Sequence, residues 1–156
     1  MIQRVQTLFL VVVAACMFAL LFFPIWGQQN ATKVAELTVS KLQFTENGSI
    51  KEETNTIYLA VLAVFSSILA VASIFSYKSR AKQMLINMFN SLVIGGTLVA
   101  CTFLMFEGEE LFNGGQDSKG LGIGFFLIGI SLFANMLANR FIKNDEKLVR
   151  SSDRLR

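Results

Sequence analysis

The chain has 156 residues, 53% of them hydrophobic and only 16% charged, with fifteen Phe and one Pro. That balance excludes an ordinary water-soluble domain and a disordered chain, and the mean hydropathy of +0.54 points to a membrane protein. A net charge of +3 does not call for nucleic acid, and two isolated cysteines with no His leave neither a disulfide framework nor a zinc site.

In chain order, Arg4 precedes the first predicted span, Thr7 to Trp26, an apolar run of the length a helix needs to cross a hydrocarbon core of about 30 Å. Val13-Ala14-Ala15-Cys16 has the form of a lipoprotein cleavage box, but the apolar run continues to Phe23, so an uncleaved anchor is the better reading. Residues 27–56 then turn polar. Leu37, Val39, Leu42 and Phe44 carry strand alternation, and Asn47-Gly48 with Ile50 beyond it predicts a small β-hairpin lying over the helix ends.

The second span, Ile57 to Tyr77, carries small residues along one side, Ala63, Ser66, Ser67 and Ala70, which favour close helix packing. Lys78, Arg80 and Lys82 fill the short link to the third span, Met84 to Phe106. In that span Asn87, Asn90 and Ser91 lie near the end marked by the basic link, and Gly95-Gly96 marks close packing at mid-span. The loop 107–120 holds Glu107, Glu109, Glu110 and Asp117 against Lys119; its carboxylates lack the ordered spacing of a calcium loop, so no metal is expected there.

The fourth span, Leu121 to Ile142, opens with Gly120 and Gly124 as a small-xxx-small pair and closes with Asn135 and Asn139. These amides are expected to hydrogen-bond with Asn87 and Asn90 between spans three and four, or to face a partner or small polar ligand. The tail 143–156 mixes Lys143, Lys147, Arg150, Arg154 and Arg156 with Asp145, Glu146 and Asp153. Leu148, Val149 and Leu155 with Phe141 would give a continued helix one apolar side, and its bases would rest on anionic headgroups or its mixed charges dock on a protein.

Spanning segments must satisfy their own backbone, so the fold expected is an all-α four-transmembrane-helix bundle with a β-hairpin in its first outer loop. Lys and Arg gather before span one, between spans two and three and after span four. Both ends are therefore expected in the cytoplasm and loops 27–56 and 107–120 outside.

The stretches Met1-Ile2-Gln3-Arg4-Val5-Gln6-Thr7 and 143–156 resemble the ends of a domain-of-unknown-function family of small four-span inner-membrane proteins from Bacteroidetes bacteria. The resemblance implies a bacterial cytoplasmic-membrane location and brings no catalytic residue, ligand or cofactor.

Mid-span charges of the kind that mark ion pathways are missing, and the serines have no activating neighbour, so catalysis and cofactors are not expected. The leading expectation is a non-enzymatic accessory or scaffold subunit that lies in the lipid bilayer and binds a protein partner or its own copies. The alternative is an oligomeric small-solute transporter or channel component, in which Asn87, Asn90, Asn135 and Asn139 line a polar path between protomers.

Overall fold

The computed structural model describes residues 3–77, 79–110 and 118–153. Four helices dominate: α1 (Gln3–Ala19), prolonged by a 3-10 turn at Leu20–Phe22, α2 (Ile57–Phe75), α3 (Arg80–Glu110) and α4 (Ile123–Asp153). All four are long and apolar enough to cross a membrane. At a rise of about 1.5 Å per residue, α2 is about 28 Å long and the 31-residue α3 and α4 about 46 Å each.

The buried positions explain why the helices associate. In α1 they are Gln6, Leu10, Val13, Met17 and Leu20; in α2, Leu59, Ala63, Ser66, Ala70 and Ser73. In α3 they run Gln83, Asn87, Asn90, Ile94, Thr97, Cys101, Leu104 and Gly108. Steps of four and three residues alternate throughout, the 3.5-residue period that keeps one seam facing the neighbouring helices. α1 packs on α2 and α4, and α3 packs on the same two, in an up-down-up-down arrangement.

The opposite faces are apolar as well. Leu8, Phe18, Val61, Ile68, Leu92, Phe103 and Phe133 are each more than half exposed, so the bundle is apolar outside while several seam positions inside are polar. That inverts the pattern of a bundle folded in water.

At one end, here the sheet end, the helices are capped by a five-stranded antiparallel sheet of order β4-β3-β2-β1-β5. The strands are β1 (Trp26–Gln29), β2 (Lys33–Leu37), β3 (Lys41–Glu46), β4 (Ser49–Asn55) and β5 (Ser118–Leu121). The expected hairpin is β3–β4. Glu46 faces Ser49 across Asn47 and Gly48, both with positive φ, the conformation that a two-residue hairpin loop requires.

The remaining strands correct the all-α expectation. Trp26, read as the end of span one, begins β1, and Leu121, read as the start of span four, ends β5; the two residues are paired partners. Neither strand shows clear alternation, and their pairing joins segments far apart in sequence, so local pattern could not reveal it. Leu37, Leu42 and Phe44 turn inward with Trp26, giving this end an apolar core. The sheet is tied to α2 by Thr56 Oγ1, which donates to Thr38 O at 3.1 Å, while Asn55 Oδ1 accepts from the Ile57 N–H at the helix start.

Candidate functional site

Gly120 and Gly124 do not form a helix-packing pair. Gly120 lies in β5 opposite Gly27, with open space where a side chain would be. Gly124 stands in the first turn of α4, where a Cβ would crowd the carbonyl oxygens of Phe23 and Pro24, and Gly122 meets the Pro24 carbonyl more closely still. These two glycines let the start of α4 lie against the chain leaving α1, mostly against its backbone, with Leu20 Cδ1 of the 3-10 turn also close to Gly124.

Chemistry concentrates at the other end, where the helices meet the α2–α3 link and the tail of α4. Ser66 and Ala70 are fully buried on the α2 seam, and Ser66 Oγ donates to Asn90 Oδ1 at 2.7 Å. Asn135 Nδ2 donates to Asn87 O at 2.9 Å and to Ser91 Oγ at 2.8 Å, joining α4 to α3. Thus Asn87 is linked to Asn135, whereas Asn90 is linked to α2 rather than α4. Asn87, Asn90 and Asn135 are all fully buried within one chain, and Asn139 is half-buried.

These bonds use only part of the polar capacity present. Asn87 Nδ2 and Oδ1, Asn90 Nδ2, Asn135 Oδ1, Asn139 Oδ1, Ser73 Oγ and Gln6 Nε2 are buried without a hydrogen-bond partner among the described residues. Each such atom is costly in an apolar setting unless water or a ligand meets it. The sheet-end half of the seam has no comparable set among the described residues.

Below this polar seam lies a partly enclosed cavity of about 190 Å³, lined by Gln6, Thr7, Ile74, Tyr77, Arg80, Gln83 and Asp145. Arg80 Nη2 pairs with Asp145 Oδ2 at 2.9 Å, and Arg80 Nη1 donates to the Asp145 carbonyl at 2.8 Å. Arg80 is the first residue of α3, where a cation opposes the helix dipole; the Asp145 carboxylate beside it restores a favourable charge at that terminus. Gln6 and Gln83 are about 95% buried in the cavity wall.

Sequence reasoning missed this assembly. Gln83 could have been found, because it stands four residues before Asn87 on the same seam, and Gln6 stands in the same way before Leu10, Val13 and Met17. The Arg80–Asp145 pair, 65 residues apart, has no local signal. Asp145, which the docking alternative for the tail counts among partner-facing charges, pairs with Arg80 and lines the cavity instead.

Of the tail bases, Lys143 and Lys147 are exposed on α4, and Arg150 belongs to the helix. Arg154 and Arg156 lie outside the described residues. Phe141 stacks on Phe9 of α1 with ring centres 5.6 Å apart, which places it in the bundle rather than on a free tail face. Among the described residues no three acidic, Cys or His side chains gather as a metal would require; Asp117 lies outside them.

A family model described as a domain of unknown function (DUF4293) matches residues 2–155. The chain belongs to this family. Neither a curated protein nor a solved structure matches it. In this DUF4293 member the buried amides and the Arg80–Asp145 pair gather at the polar end.

Proposed function

We propose that the chain is an integral protein of the bacterial cytoplasmic membrane, with its termini in the cytoplasm and its sheet outside, acting as a non-enzymatic accessory or scaffold subunit. Four sufficiently apolar helices with apolar outward faces support the membrane reading. The basic residues at the tail end and the acidic run at the sheet end support the orientation.

The observation that carries the scaffold reading is the continuity of α4. It runs unbroken from Ile123 to Asp153, so that about 12 Å of charged helix continues beyond Asp145, which pairs with Arg80. A continuous helix offers a protein partner a preorganised surface. By contrast, burial of Asn87, Asn90 and Asn135 inside one chain argues against a polar path between protomers.

Affinity recovery of the tagged protein from native membranes, with and without residues 148–156, tests this reading. Truncation there keeps Asp145 and its ion pair, so loss of a stoichiometric partner reports docking rather than damage to the bundle. Recovery of the same partners without the tail would end the scaffold reading. Orientation is tested separately, since an impermeant maleimide applied from outside should label Ser49→Cys in β4 and spare Ser151→Cys in α4.

A further inference from the structure

The tail-end cavity combines features that the scaffold role does not use. Its wall holds one cation and one anion, Arg80 and Asp145, with the neutral amides of Gln6 and Gln83, and it is smaller than the roughly 300–1,000 Å³ typical of drug-sized ligands. Gln6 Nε2, buried in that wall, has no hydrogen-bond partner among the described residues. Because the two charges already offset each other, a simple anion would meet the Asp145 carboxylate and a simple cation the Arg80 guanidinium. A ligand carrying both charges meets each with its opposite. Arg80 has spent two of its five N–H groups on Asp145, and the carboxylate retains acceptor capacity beyond the oxygen it gives to Arg80.

Depth narrows the chemistry further. α2 ends at Phe75, just before Tyr77 and Arg80, so on the membrane reading the cavity lies level with the phospholipid headgroups of the inner leaflet.

We propose that this cavity binds a zwitterion in which an ammonium is joined to a phosphate, the headgroup chemistry of an aminophospholipid. The phosphate oxygens accept from the free N–H groups of Arg80 and from Gln6 Nε2, and the ammonium donates to Asp145. The proposal rests on the membrane reading but not on the scaffold role.

The test uses the full-length protein purified in detergent, incubated with phosphatidylethanolamine or phosphatidylglycerol and read by native mass spectrometry. Phosphatidylethanolamine should be retained about tenfold better, and Gln6→Leu and Asp145→Asn should each bring its retention down to that of phosphatidylglycerol. Gln6→Leu breaks no hydrogen bond of Nε2 among the described residues, so it keeps the test decisive if Asp145→Asn fails to fold. Equal retention of the two lipids, or undiminished retention by Gln6→Leu, would overturn the proposal. Added phosphoethanolamine distinguishes the sources of the zwitterion: displacement of the lipid assigns the site to the free compound, and persistence assigns it to the headgroup. Recovery of the chain in the soluble fraction would defeat the membrane reading itself, whereas a membrane-bound protein without lipid preference would defeat only this site.

Discussion

The two ends of the bundle are built on the same 3.5-residue seam but filled differently. Toward the sheet the seam holds Leu20, Leu59, Cys101 and Leu104, closed by Trp26 and the inward residues of β2 and β3. Toward the tail it holds Gln6, Ser73, Gln83, Asn87, Asn90 and Asn135. Where both the outside and the inside of a helix pair are apolar, association depends on shape, and the sheet end is shaped tightly enough that glycines are needed beside Pro24. Where the inside is polar, a few hydrogen bonds specify which helices meet, and the unspent donors and acceptors remain available to water or a ligand. The sheet end is thus closed by apolar packing, whereas the polar end keeps buried donors and acceptors unspent among the described residues.

The largest effect is expected at the sheet end. Trp26→Ala removes the largest buried side chain and should cost about 3–5 kcal/mol, read by the loss of far-UV circular dichroism during denaturant titration in mixed micelles. An effect under about 1 kcal/mol would mean that the sheet does not brace the bundle. Gly122→Ala forces a methyl group onto the Pro24 carbonyl and should cost about 2–3 kcal/mol, with faster amide exchange along β1 and β5. If β5 exchanged no faster than before, the close approach would not be what holds that strand.

At the polar end the expected effects are smaller. Asn135→Leu removes the two hydrogen bonds to Asn87 and Ser91 and should destabilise the bundle by about 1–2 kcal/mol, since interhelical bonds in membranes contribute about 0.6 kcal/mol each and seldom exceed 1.7. A double-mutant cycle with Ser91→Ala measures the part carried by that one bond. The last substitution sharpens the contrast by its sign. Ser73 Oγ is buried without a partner among the described residues, so Ser73→Ala should leave stability unchanged or raise it by up to about 1 kcal/mol. Clear destabilisation would show that the hydroxyl meets an ordered water, and that the polar end is hydrated more deeply than the cavity.

How much of this was legible in the sequence differs from element to element. The β3–β4 hairpin could be read because alternation and Asn47-Gly48 are local signals. β1 could not, because Trp26 ends an apolar run and reads as the end of a helix until β5, some ninety residues later, supplies the partner edge. Asn87, Asn90 and Asn135 stood out as amides in apolar helices. Their actual partners did not, since whether an amide reaches α2 or α4 depends on helix rotation and axial offset. Gln6 was passed over among terminal polar residues, and only the packing of α1 turns it inward.

The sequence by itself determined that there would be four long apolar helices, where the polar segments between them fall, and that amides stand within the third and fourth helices, because composition and period act along the chain. Only the tertiary structure decided that a five-stranded sheet closes one end, that Arg80 meets Asp145, and that a cavity opens beneath the buried amides. Those features depend on groups far apart in the chain coming within a few ångströms, and no local preference encodes that distance.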